Sequence, residues 1–233
     1  MKDLNVKIFL DGADLSELRP WVDHPLVAGF TSNPGLIRKA GVTDYMDFAR
    51  QYVEMAKHKP VSLEVLSMSP KAMIREARLL ASLGNNVAVK VPCRGPNGED
   101  HWSVIKKLIK AGCRVNITCA FTTQDGWTGV LTGAAYVSVF AGRISDTGRD
   151  PVAAVTLISN FRTMPLLPFP TEIIWASSRQ AYDVYLANMA GADIITLHPR
   201  LFERFLTARG KDLEVCSQET VAEFCETAKG YAI

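Results

Sequence analysis

A chain of 233 residues, 48% hydrophobic and 21% charged, can bury one sizeable core, and it reads as a single domain over residues 1–233. A formal net charge of +2, with Lys and Arg scattered along the chain, leaves no basic stripe for nucleic acid and points to a small-molecule partner. No apolar stretch approaches a membrane span, and the opening MKDLNVKIFLDG lacks the long apolar region and cleavage site of a signal peptide.

Short runs rich in Val and Ile alternate with helix-length segments, the pattern of parallel strands joined by helical crossovers. The first strand is expected at Val6–Gly12 and the second at Val27–Asn33. Apolar residues then recur at helical spacing over Asp44–Lys57, before a strand at Val61–Leu66. Helix Pro70–Leu83 leads to strand Val87–Pro92, and helix His101–Ala111 to strand Arg114–Phe121. Thr122–Gly133 is short and Gly-rich, with the poorest helical pattern of the chain, and precedes strand Tyr136–Gly142. Helix Pro151–Thr163, strand Glu172–Ser177, helix Arg179–Ala190, strand Asp193–His198 and helix Pro199–Ala208 follow. The tail Ser217–Lys229 reads as one further helix. Thr43 and Ser69 sit at N-cap positions, Pro70 and Pro151 suit first turns, and Gly84, Gly112 and Gly191 fall where helices stop. Eight strand–helix units with no linker predict a closed (β/α)8 TIM barrel with an additional C-terminal helix. A doubly wound sheet would place a Gly-rich phosphate loop after its first strand, where this chain has Asp11-Gly12-Ala13-Asp14.

Strand side chains alternate, so the valines and isoleucines assign the parity of each strand. Ile8 and Leu10 face the helices and leave Asp11 inward; Val87, Val89 and Val91 leave Lys90 inward. By the same reading Glu64, Asn116, Thr118, Ser138 and Phe140 point to the barrel axis. Burying such groups is costly unless they are paired, and a polar cluster at the C-terminal ends of barrel strands is where this fold keeps its chemistry. A desolvated Lys90 would favour the neutral amine, a nucleophile that forms an imine with a carbonyl and draws electrons from an adjacent C–C bond without a metal. Glu64 and Asp11 are the proton carriers such chemistry needs. Arg143 and Arg179, with Ser177 and the start of the helix after it, suit capture of a phosphate or sulfonate. Plainer readings stand beside these. Asp11 is also a candidate strand-end cap, Glu64 an ion-pair partner of Lys90, Asn33 in Thr31–Pro34 a helix cap, and the two arginines surface salt-bridge residues. His101 and His198 read as helix-start residues.

Cys93, Cys113, Cys119, Cys216 and Cys225 are odd in number, form no CxxC pair and are assigned no role; a reducing cytoplasm and no disulfide framework are expected. The four histidines form no HExxH-type pair, so neither a protein-held metal nor a cofactor is expected.

The stretches IFLDGAD (Ile8–Asp14), GFTSNP (Gly29–Pro34), LEV (Leu63–Val65), VAVKVP (Val87–Pro92), NIT (Asn116–Thr118), VSVFAGRISD (Val137–Asp146) and ASSR (Ala176–Arg179) resemble, in order and on the matching strands, the transaldolase family. The likeness is to its short subfamily, which includes fructose-6-phosphate aldolase. The resemblance implies an imine between Lys90 and a ketose that retains a dihydroxyacetone unit while an aldehyde departs. It implies Asp11 as the base for the substrate hydroxyl, Glu64 as acid–base through a water held by Thr118, and Thr31, Asn33 and Asn116 as ligands of the bound unit. Ser138 and Phe140 line that site, and Arg143, Ser177 and Arg179 bind phosphate. Glu64, where the aldolases have glutamine, and Phe140, where they tend to carry tyrosine, favour transfer between sugar phosphates over release of free dihydroxyacetone. The stretch CRGPNGEDHW after Lys90 and the segment Thr122–Gly133 depart from the family pattern and leave a sulfonated or nucleotide-pathway sugar open as the alternative. The resemblance also implies a homo-oligomer, a pentamer or decamer, with a dimer as the smaller alternative, docked through the C-terminal helix.

Overall fold

The computed structural model describes residues 4–164, 167 and 170–231. Eight parallel strands, β1 (Lys7–Asp11), β2 (Val27–Thr31), β3 (Val61–Glu64), β4 (Val87–Pro92), β5 (Val115–Ala120), β6 (Tyr136–Val139), β7 (Glu172–Trp175) and β8 (Ile194–Leu197), pair in sequence order. β8 returns to β1 and closes the barrel. Around it run α1 (Leu15–Leu18), α2 (Pro34–Lys39), α3 (Tyr45–Ala56), α4 (Pro70–Ala81), α5 (Trp102–Lys110), α6 (Thr123–Leu131), α7 (Ala141–Asp146), α8 (Pro151–Arg162), α9 (Asp183–Met189) and α10 (Pro199–Ala208), with α11 (Leu213–Ala228) beyond. No helix among the described residues is long and apolar enough to cross a membrane.

The alternation read from the strands governs the layers. Ile8, Leu10, Leu63, Val89, Val91, Val115, Ile117, Val137 and Val139 are buried in the core between sheet and helices. Phe9, Ala88, Tyr136, Ile174, Ala176 and Ile194 form a separate apolar cluster inside the barrel. Polar side chains on that inner set therefore lie one layer further toward the C-terminal ends of the strands, above an apolar plug.

Thr122–Gly133, the poorest helical pattern in the sequence, does hold its helix: Thr122 and Asp125 form a reciprocal capping box, and a Cβ on Gly126 would come 2.4 Å from Ile158 of α8, so that glycine serves close helix packing. Other local details depart from expectation. The N-cap of α3 is Asp44, whose carboxylate accepts from the Asp47 amide at 2.9 Å, one residue after Thr43; Ser69 caps α4 by position only. β6 stops at Val139, and the chain turns into α7 where continued strand was expected. The helix expected from Arg179 begins at Asp183, whose carboxylate already holds the amides of Arg179 and Gln180 at 2.7 and 3.2 Å. Those two amides are thus taken, and the proposed contribution of that helix start to anion binding is corrected accordingly. The tail helix is longer than expected, is capped by Asp212, and has no buried residue.

Candidate active site

A cavity of about 310 Å³ opens at the C-terminal ends of the strands. Its floor is built by the inward residues of adjacent strands, because the parallel register sets Glu64 beside Lys90 and Lys90 beside Asn116. Lys90 is only 6% exposed, and its ammonium contacts Glu64 Oε2 at 3.1 Å and donates to the Ser32 carbonyl at 2.8 Å. Asp11 accepts from Thr31 Oγ1 at 2.7 Å and from Asn33 Nδ2 at 3.3 Å. Burial pushes the Asp11 carboxyl above the ordinary aspartate range, while the positive charge of Lys90, the Thr31 bond, His198 and Asn33 pull it back. A half-buried carboxyl and a buried lysine lining one cavity are a pair that can exchange protons with a bound molecule.

The plain and the functional readings coincide at two residues. Asn33 caps α2 through Oδ1, which accepts from the Leu36 amide at 3.1 Å, while its Nδ2 serves Asp11. Glu64 is the ion-pair partner of Lys90 and lines the same cavity. Beneath them, Asn116 is fully buried, donates to Ser62 Oγ at 3.0 Å and accepts from Ser138 Oγ at 2.8 Å. It supports the floor rather than lining the cavity. Thr118 does line it, with a buried hydroxyl that lies beside the Cys119 thiol, meets no oxygen or nitrogen partner among the described residues and can hold a water or a substrate oxygen.

The rim is different in kind. Phe140, Arg143 and Ser177 line the cavity, and the Arg143 guanidinium lies 5.8 Å from the centre of the Phe140 ring. Arg143 is exposed and makes no ion pair among the described residues. Ser177 has φ of 64°, and its carbonyl approaches Gly142 so closely that a Cβ there would sit 1.8 Å from the oxygen. That junction locks the loops after β6 and β7 together. Arg179 falls outside the lining residues and spans to Asp146, with Nη2 2.6 Å and Nε 3.1 Å from Oδ2.

Five lining residues, Pro34, Gly35, Cys119, Ala176 and Thr196, are not among the site residues expected from the sequence. Thr196 follows from the same alternation, since Ile195 and Leu197 of β8 are packed in the outer core and leave it inward. Pro34 and Gly35 enter with the first turn of α2, the helix that Asn33 caps. Cys119 is the instructive one. Strict alternation sends it toward the helices, but β5 slips against β6 between Ile117 and Ala120, and Cys119 takes φ of 59° and turns into the cavity lining. Burial holds its thiol above the usual range. His198 caps α10 and accepts from the Arg200 amide at 3.3 Å; His101 occupies the N-cap position of α5 and bonds the Pro92 carbonyl at 3.0 Å. Among the described residues no group of three or more His, Cys, Asp or Glu is placed to hold a metal ion.

The family model described as "Transaldolase/Fructose-6-phosphate aldolase" matches residues 8–232. A "Probable transaldolase" of Dehalococcoides mccartyi is 34% identical over 193 residues, covering 82% of this chain and 86% of that protein. Another, of Chelativorans sp., is 35% identical over 199 residues, covering 85% and 88%. Among solved structures, dihydrodipicolinate synthase from Rhodopseudomonas palustris superposes with a TM-score of 0.60 at 14% identity, over 98% of this chain and 81% of that one, a likeness of fold alone.

Proposed function

The chain belongs to the transaldolase/fructose-6-phosphate aldolase family, and from that premise we propose that it is a single-domain transaldolase acting through an imine on Lys90. The observation that carries the reading is a buried lysine 3.1 Å from Glu64, in a cavity shared with a second carboxyl, Asp11. The Lys90 ammonium passes one proton to Glu64, and the neutral amine adds to the ketose carbonyl. Protonated Glu64 then returns its proton to the departing hydroxyl, through a water on Thr118, as the imine forms. Asp11 takes the proton from the hydroxyl on the carbon beyond the scissile bond, the C–C bond breaks toward the imine, and an aldehyde leaves. The bound three-carbon enamine, held by Thr31, Asn33 and Ser138 above the Asn116 floor, adds to an acceptor aldehyde by the same steps reversed.

Fructose 6-phosphate is the donor, and an aldose phosphate the acceptor. Arg143 and Ser177 receive the phosphate, with Arg179 within reach of the same rim. Retention of Glu64 and Phe140 supports transfer over release of free dihydroxyacetone. The chemistry needs no cofactor, and five free thiols support a reducing cytoplasm as its location. An α11 without buried residues, bearing exposed Leu213, Val221 and Phe224, supports docking on a second copy in a homo-oligomer.

Borohydride reduction with fructose 6-phosphate is expected to add a three-carbon fragment to the peptide containing Lys90. Glyceraldehyde 3-phosphate supplied before the reductant should discharge it. Demonstrated binding of the ketose without any adduct on Lys90 would end the reading.

A further inference from the structure

Of the two arginines that follow β6 and β7, only Arg143 lines the cavity. Arg179 leaves the chain two residues after Ser177, and its stem passes over α7, where Cγ would lie 3.2 Å from a Cβ on Gly142. Its head is turned to the far end of that helix and gripped by Asp146 at 2.6, 3.1 and 3.3 Å. The grip uses Nε and Nη2, the same edge that a phosphate or carboxylate takes bidentately. Asp146 thus presents to Arg179 the oxygens an anionic ligand would present.

We propose that Asp146 is a placeholder for the anionic end of the substrate: it parks Arg179 off the cavity when no ligand is bound and yields it when an anion docks beside Arg143 and Ser177. The pair is made for exchange. Both side chains are about half exposed, 48% and 52%, so water screens their attraction and the carboxylate is readily solvated once released. Arg179 holds Asp146 below the usual carboxylate range, so the competitor stays charged at any pH where an enzyme of this kind works. The buried pair on the floor has the opposite character, with 8% and 11% exposure, and no dissolved anion can take its place. The parked position has a further consequence. Arg143 alone meets the incoming anion, and the second guanidinium joins only after giving up Asp146, so the apparent affinity is reduced by the fraction of molecules in which Arg179 is held.

The inference rests on the transaldolase reading only for the identity of the ligand, and inorganic phosphate tests it without any turnover. Binding of phosphate to the full chain, measured by titration calorimetry, is expected to tighten about threefold to tenfold in Asp146→Asn. The gain should vanish in Asp146→Asn/Arg179→Met, and Arg179→Met alone should bind more weakly than the unmodified protein. If the sugar reaction also holds, KM for phosphorylated substrates drops in Asp146→Asn, while an unphosphorylated aldehyde acceptor shows no change. Weaker phosphate binding in Asp146→Asn would instead make Asp146 a clamp that orients Arg179 and would overturn the proposal, as would equal binding in all the variants. Absence of a Lys90 adduct alongside tighter phosphate binding would defeat the reaction and leave the placeholder standing.

Discussion

The floor and the rim of this cavity hold charges by opposite means. On the floor, Lys90, Glu64 and Asn116 are brought side by side by strand register, are nearly or fully buried, and make short contacts with neighbours that cannot move without opening the barrel. On the rim, Arg143, Arg179 and Asp146 sit on short loops and a six-residue helix, exposed, with contacts that water can replace. Chemistry that moves a proton between fixed atoms belongs on the first kind of support, and capture of a ligand from solution on the second. Burial makes the difference: removing one member of a buried ion pair costs about 3–5 kcal/mol, because the other is left without a partner, whereas the exposed rim charges are always hydrated.

The comparison can be broken at its strongest point first. Lys90→Met should abolish transfer by at least about a thousandfold and remove the borohydride adduct, since no other lining residue supplies an amine. Substantial turnover by that variant would remove the floor from the chemistry. Next, Asp11→Asn and Glu64→Gln should each lower kcat by about a hundredfold to ten-thousandfold. Because burial raises the Asp11 carboxyl, its basic form is lost as pH falls through a value above the ordinary aspartate range. The acidic limb of kcat therefore lies higher than an exposed carboxylate would place it, and in Asp11→Asn that limb should disappear from the residual rate. A limb unchanged by the substitution would assign the proton transfer elsewhere.

The rim should answer in KM rather than kcat. A hydrogen bond to a charged group contributes about 1.5–3 kcal/mol, so Arg143→Met should raise KM for phosphorylated substrates roughly tenfold to a hundredfold. kcat at saturation should stay within about threefold, because an interaction equal in ground and transition states leaves it unchanged. An equal loss in kcat would mean that rim and floor are not separable. The smallest effect on the barrel is expected from removing α11 by ending the chain at Gly210. No residue of that helix is buried, so far-ultraviolet circular dichroism should lose only its helical share, while sedimentation should report a smaller assembly. An unchanged assembly would take α11 out of the interface.

Legibility in the sequence followed the same division. Lys90, Glu64, Asp11, Thr118 and Ser138 lie in strands whose alternating valines and isoleucines declare which side is which, and the structure brings all five to one cavity. Thr196 of β8 obeys the same rule, between the outward Ile195 and Leu197. Cys119 did not obey it, because the bulge in β5 breaks the two-residue period and nothing in Thr-Cys-Ala marks the slip. Asn116 pointed inward as expected yet sits one layer too low to line the cavity, a matter of depth that parity cannot express. Arg179 is on the expected face but outside the cavity lining, since a long side chain on a loop goes where its nearest partner is, and Asp146 ends α7. The helical pattern over Thr123–Leu131 is weak because its glycines answer to distant segments, Gly126 to Ile158 of α8 and Gly129 to Val137 of β6.

By itself the sequence determined the number and order of the strands, their closure into a barrel, and the residues facing its axis, because hydrophobic periodicity is a local property that every strand must satisfy separately. Only the tertiary structure decided the depth of each inward residue, the slip that turns Cys119 into the cavity, and the partner that Arg179 holds. Those depend on the register between strands and on which loops meet above them, distances between segments far apart in the chain that no local pattern encodes.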